Sequence, residues 1–169
     1  MYAASRIQSD SKPQIYAELV AQARGLLAGE SDRIANAANL SALVFDALPD
    51  LNWVGFYFFD GRELVVGPFQ GKPACIRIPL GRGVCGTAAA TRSTQLVHDV
   101  HEFPGHIACD AASNSEIVVP IVAPDGALVG VWDVDSPLVG RFDDDDRAGM
   151  EALVQLYVDS LSNQAAAHG

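Results

Sequence analysis

Two windows near the N-terminus repeat apolar side chains at helical spacing. From Lys12 to about Leu27, the residues Ile15, Leu19, Val20, Ala23, Leu26 and Leu27 form one stripe, the recurrence expected of an amphipathic helix. Gly29 supplies a stop signal. A second helix is predicted after Ser31, whose hydroxyl can cap it. It carries Ile34, Ala37, Ala38, Leu40, Leu43, Val44 and Ala47 and ends near Pro49. The period then changes to alternation. Asn52–Phe59 (NWVGFYFF) is rich in aromatic and β-branched residues and reads as a strand. Asp60-Gly61 is a hairpin signal, and Glu63–Phe69 returns as a second strand. Cys75–Leu80 reads as a short strand. Gly83–Arg92 reads as a short helix after the turn Gly81-Arg82-Gly83, and Thr94–Asp99 as a further strand. His101–Ser113 is predicted to be loop. Ser115–Ala123 and Ala127–Asp135 form a hairpin across Pro124-Asp125-Gly126. A last helix starts in the acidic run Asp143–Asp146, where carboxylates suit the positive helix end. It extends to about Ser162 on Ala148, Leu153, Leu156, Tyr157 and Leu161.

The predicted order is α-α-β-β-β-α-β-β-β-α. Hairpin-joined strands with helices at both chain ends imply an antiparallel sheet with helices packed on it, an α+β domain. No repeat or linker interrupts the pattern, so residues 1–169 read as one domain, with 1–11 a loose polar tail. An apolar fraction of 49% and a charged fraction of 19% fit an ordinary globular chain. The formal net charge of -10 argues against nucleic acid or an anionic membrane as partner, because both require a basic face. No apolar run approaches the roughly 20 residues of a membrane span. The opening MYAASRIQSDSKPQ has no signal-peptide core. A cytoplasmic location follows as the expectation, and there thiols are kept reduced. A homodimer and a monomer are both compatible with the sequence.

The chemistry concentrates between Gly67 and Glu116. All three cysteines lie there, Cys75, Cys85 and Cys109, with three of the four histidines, His98, His101 and His106; His168 is in the C-terminal tail. Glycine and proline are dense in this stretch, so much of it is loop, where functional groups tend to be carried. No cysteine pair is CxxC, which removes the zinc-knuckle and thioredoxin motifs. The plainest role for each cysteine is a small buried apolar residue. Cys85, beside Val84, Ala88 and Ala89, fits that role best, and Cys109 in PGHIACDAASNSE fits it least. A zinc site of three cysteines and His106 stays open on composition. His106 can also depress the Cys109 thiol pKa or give up a proton, or it can simply bond backbone. Asp133 and Asp135 alternate on a strand and so share a face. Two carboxylates there suit either a solvated edge or a bound cation such as an α-amino group. Glu116 opens a strand that then turns apolar. Trp53 and Tyr57 also share a strand face, as core or as the wall of an apolar slot. The acidic run 143–146 reads as a solvated helix start and not as a metal site.

Six pieces of the chain carry a resemblance: NWVGFY (52–57), GPFQGKPAC (67–75), GRGVCG (81–86), DVHEFPGHIACD (99–110), SEIVVP (115–120) and GVWDVDSP (130–137). Together they are similar to the free methionine-(R)-sulfoxide reductases, which are built on a GAF domain. The likeness covers nearly all of the chain after the first helix. The three thiols at this spacing separate these enzymes from GAF domains that only bind ligands. The resemblance implies that Cys109 attacks the sulfoxide, that Cys75 resolves the oxidised thiol as a disulfide, and that Cys85 is an auxiliary thiol. It implies that Glu116, Asp133 and Asp135 hold the substrate amine and sulfoxide, and that Trp53 and Tyr57 wall the substrate methyl group. Thioredoxin is the implied reductant, and no cofactor or metal is implied. Trp132 departs from the pattern, standing where an aliphatic residue is expected.

The implied chemistry is thiolate attack on the sulfoxide sulfur, release of methionine, a sulfenic acid on Cys109 and closure to a disulfide. Mutual repulsion among three crowded carboxyls would raise at least one pKa and supply an acid for the sulfoxide oxygen. A ligand-sensing GAF module is the competing reading, and a structural zinc protein the third.

Overall fold

The computed structural model describes residues 2–107 and 109–162. His168 lies outside the described residues. Residues 2–11 carry no helix or strand, but Tyr2 Oη donates to the Gln22 carbonyl at 2.9 Å and Gln22 Nε2 donates to the Ser5 carbonyl at 2.8 Å. This segment therefore lies along the first helix. The element order is α1 (Lys12–Leu27), α2 (Arg33–Ala47), β1 (Trp53–Phe59), β2 (Glu63–Gly71), β3 (Arg77–Pro79), α3 (Gly83–Thr91), β4 (Gln95–Val97), β5 (Ser115–Val122), β6 (Leu128–Ser136) and α4 (Asp144–Ser162). A single 3-10 turn, Val100–Glu102, falls at the start of the expected loop.

The strands form one antiparallel sheet in the order β3-β2-β1-β6-β5-β4. Helices α1, α2 and α4 cover one face. The alternate residues Val54, Phe56 and Phe58 of β1, Ile117, Val119 and Ile121 of β5, and Trp132 and Val134 of β6 pack against them. Trp132, the departure noted above, belongs wholly to this side. Its ring meets Phe56 edge-on at 4.8 Å, and its Nε1 donates to Met150 Sδ at 3.3 Å. It does not reach the other face, so the aromatic substitution leaves that face untouched. Helix α3 covers part of the second face with a smaller apolar cluster that includes Trp53, Tyr57, Val84, Cys85 and Val118. No described helix is long and apolar enough to cross a membrane.

Three local expectations shift. Helix α2 is capped by Asp32 instead of Ser31: its Oδ1 accepts from the N–H groups of Ile34 at 3.0 Å and Ala35 at 2.8 Å. A carboxylate at that position also complements the positive helix end. Cys75 precedes strand β3 and sits in the loop joining it to β2. The acidic run is not wholly solvated. Asp146 is 1% exposed and accepts from Tyr16 Oη at 2.7 Å, Lys12 Nζ at 2.6 Å and Arg141 Nη1 at 3.4 Å. It thereby fastens α1 to α4. Removing one member of a buried ion pair leaves the others uncompensated and costs roughly 3–5 kcal/mol. We predict that Asp146→Ala lowers unfolding stability in urea by about that amount. A loss under about 1 kcal/mol, the range of exposed pairs, would contradict the anchoring role.

Candidate active site

Strand alternation decides which side chains leave the main core. Opposite the three large helices, β1 presents Trp53 and Tyr57, β5 presents Glu116 and Val118, and β6 presents Val131, Asp133 and Asp135. The register sets Glu116 across from Asp135, and Asp133 across from Gly55. Gly55 is small of necessity. A Cβ there would run into Phe69 and the Pro68 carbonyl. Three carboxyls are thus gathered by the pairing of neighbouring strands, although they are up to nineteen residues apart in the chain.

Two connections close over this face. The loop after β2 is held by its own aromatic floor. Trp53 Nε1 donates to the Lys72 carbonyl at 3.2 Å and Tyr57 Oη to the Cys75 carbonyl at 3.2 Å. Trp53 stacks on Tyr57 and on Phe69, with ring centres 5.7 Å and 5.0 Å apart. The loop before β5 is tied at its end by Asn52, whose Nδ2 donates to Asp110 Oδ2 and Ser113 Oγ, each at 3.0 Å. Where the two loops meet, Cys75 and Cys109 are joined by a disulfide with Cα atoms 5.4 Å apart. Cys85 stays free and buried on α3. With two thiols consumed, a zinc site of three cysteines and His106 does not form in this state.

Beneath the disulfide lie two small cavities, of about 30 Å³ and 20 Å³. They share Tyr57, Cys109, Asp110, Asp133 and Asp135 as walls. Glu116, Cys85, His106 and Arg82 line the larger, and Trp53 and Ala74 the smaller. Each has space for about one or two waters and is too small for an amino acid. Every candidate site residue named from the sequence touches one cavity or its covering disulfide. Sequence reasoning passed over Arg82, Asn52, Asp110 as a wall, and Ser113. Arg82 and Asn52 stood inside quoted motifs, so a signal was present, but only the fold shows that Arg82 borders the hollow and that Asn52 ties the loop over it.

The electrostatics are unusual for a small acidic protein. Glu116 is 6% exposed and Asp133 5%. Burial raises the Glu116 pKa well above the ordinary carboxyl range, and the charges of Asp133 and then Asp135 add to it. Burial likewise raises Asp133, and it raises Asp135 with Asp133 reinforcing the shift. The Cys85 thiol is pushed up by burial and then by the same three acids; its Sγ lies 3.8 Å from Glu116 Oε1. Burial also pushes the Tyr57 phenol up. His106 Nε2 stands 3.8 Å from Glu116 Oε2, but burial lowers its pKa, which keeps it from serving as a permanent cation. Asp110 goes the other way, held low by the Ala112 N–H. Asp133 Oδ1 and Asp135 Oδ1 are buried with no hydrogen-bond partner. Orphaned acceptors of this kind point to a ligand that supplies donors. The arrangement therefore offers a thiol, carboxyls whose pKa burial raises, and acceptors for an ammonium group, all facing one hollow.

A GAF domain model matches residues 35–162. The Escherichia coli free methionine-R-sulfoxide reductase is 54% identical over 144 residues, spanning 85% of this chain and 87% of its own. A crystal structure of a Burkholderia vietnamiensis protein, assigned as a candidate GAF sensor, is 68% identical with a TM-score of 0.89 over 92% of this chain and 99% of its own. The Neisseria meningitidis free methionine-R-sulfoxide reductase, solved with its substrate, is 42% identical with a TM-score of 0.92 over 99% of each chain. The likeness covers most of the chain, and the chain belongs to the GAF-domain family of free methionine-R-sulfoxide reductases.

Proposed function

We propose that this chain reduces free methionine (R)-S-oxide to methionine, with Cys109 as the attacking thiol. The observation that carries this reading is the placement of Cys109 on the wall of a hollow that also holds the carboxyls of Glu116, Asp133 and Asp135, with a second thiol already bonded to it. Asp133 and Asp135 receive the substrate ammonium on their unpaired oxygens. Trp53 and Tyr57 flank the substrate methyl group. Arg82 and the first turn of α3 face the carboxylate end, where free N–H groups and a guanidinium favour an anion. Glu116, held protonated by burial, donates to the sulfoxide oxygen.

The redox steps balance. The Cys109 thiolate attacks the sulfur of the protonated sulfoxide; the substrate S–O bond breaks as the oxygen passes to the Cys109 sulfur, so methionine leaves reduced by two electrons and Cys109 is oxidised by two to a sulfenic acid. The Cys75 thiol attacks that sulfur, water departs, and the disulfide seen here forms. An external dithiol then reduces it by exchange, and we assign this role to a thioredoxin-class protein. Cys75 is half-buried beside Ile76, which is 68% exposed and offers an apolar contact next to the bond to be broken. Cys85 remains a reserve thiol, close to the acids and away from the surface. The small cavities imply that substrate enters the reduced chain, after the two loops are released from each other.

Cys109→Ser is expected to abolish methionine formation from free methionine (R)-S-oxide in a coupled thioredoxin assay while the chain still folds. Normal turnover in this variant would remove Cys109 from the mechanism. Glu116→Gln keeps the shape but carries no transferable proton, so kcat should fall by about 10²–10⁴, the usual contribution of a positioned acid. The same variant bears on stability. A carboxyl whose folded pKa is raised above its unfolded value stabilises the fold only below that range, and its effect turns destabilising as pH rises through it. Glu116→Gln should therefore unfold at higher denaturant than the parent at neutral pH and lose that advantage in acid. An unchanged kcat, or a variant less stable at neutral pH, would contradict the role given to Glu116.

A further inference from the structure

We propose that Cys85, Glu116 and Asp133 form an inhibitory binding site for a borderline-soft divalent cation, with zinc as its biological representative. One ligand atom from each residue lies within 4.8 Å of the other two, and all three residues are buried. Cys85 Sγ and Glu116 Oε1 are 3.8 Å apart. A sulfur at about 2.3 Å and an oxygen at about 2.1 Å from a tetrahedral zinc stand roughly 3.6 Å from each other. The pair is therefore already spaced as two ligands of one ion, and an Asp133 oxygen within 4.8 Å of both is placed to turn inward as the third. A separate observation points the same way. Asp133 is 5% exposed, lines the larger cavity, and leaves its Oδ1 without a hydrogen-bond partner.

The donor set selects the ion. A thiolate with two carboxylates suits zinc or cadmium, whereas magnesium and calcium prefer oxygen alone. The His106 imidazole lines the same cavity and is available beside Glu116. On binding, the metal–sulfur bond replaces the Cys85 S–H bond, the proton passes to solvent, and no electrons are transferred. Neither member of the disulfide is a ligand, so the site exists in both redox states of the chain. Asp133 and Glu116 cannot hold a metal and the substrate together. The inhibition, unlike the metal site itself, rests on the activity proposed above.

The test uses the disulfide-bonded chain, in which Cys85 is the one free thiol of the three cysteines. Titration with Cd²⁺ alone is read by thiolate-to-cadmium charge-transfer absorption in the ultraviolet. The band should saturate at one ion per chain and be absent in Cys85→Ser. Glu116→Gln and Asp133→Asn should each weaken binding by at least about tenfold, a loss that even outer-shell changes produce at metal sites. Circular dichroism confirms that each variant is folded. With the reduced chain, Zn²⁺ should raise KM for free methionine (R)-S-oxide and leave kcat unchanged. No band in the parent overturns the site. A band indifferent to both carboxyl variants overturns the three-ligand arrangement. Metal binding without any rise in KM overturns the inhibition. A chain with no reductase activity at all defeats the proposed function, and the cadmium titration still decides the site.

Discussion

Three carboxyls on one sheet face, Glu116 and Asp133 buried and Asp135 half-buried, are the constraint on which the rest of this structure depends. Glu116, Asp133 and Asp135 are brought together by adjacent strands, and burial raises all three pKa values. Such a group costs stability, because charge removed from water must be neutralised or paired. Elsewhere the chain pairs its buried acid fully: Asp146 has Lys12, Tyr16 and Arg141 around it. The contrast within one small domain is informative. The acid between α1 and α4 is satisfied by the protein itself, while Asp133 and Asp135 under the disulfide each keep an oxygen without a partner. Strained or unsatisfied groups tend to collect where function requires them.

The fold supplies this arrangement economically. Even positions of β1 go to the core beneath three helices and odd positions to the hollow, so one strand both stabilises the sheet and floors the site. Trp53 and Tyr57 serve twice, as apolar wall and as hydrogen-bond donors to the loop that carries Cys75. Asn52 performs the matching task for the loop that carries Cys109, through Asp110 and Ser113. The sheet thereby sets where the two loops meet, and the disulfide joins them there.

Much of this was legible in the sequence, for a physical reason. Strand and helix periods are local, so the alternation in VWDVDSP placed Asp133 and Asp135 on one face, and the hairpin Pro124-Asp125-Gly126 was recognisable from its turn chemistry. What stayed hidden depends on tertiary contacts. Asp32 and Ser31 are both good caps, and only the chain's entry angle chooses between them. Asp146 looked solvated because its partners Lys12 and Tyr16 lie about 130 residues away. Arg82 and Asn52 read as turn and strand-start residues, since nothing local shows that a cavity forms beside the one or that the other ties a distant loop. Cys75 read as strand because CIRIPL alternates, yet its pairing with Cys109 keeps it in a loop.

The account rests on an ammonium group being recognised by acids that have no other partner. The most direct measurement compares free methionine (R)-S-oxide with its desamino analogue, the (R)-sulfoxide of 4-(methylthio)butanoic acid, which lacks the ammonium group and adds no bulk, in the same coupled assay with the reduced chain. The account predicts that loss of the ammonium group lowers kcat/KM by about 10² or more, the penalty for leaving buried polar groups unpaired. Equal kcat/KM for the two compounds would contradict it.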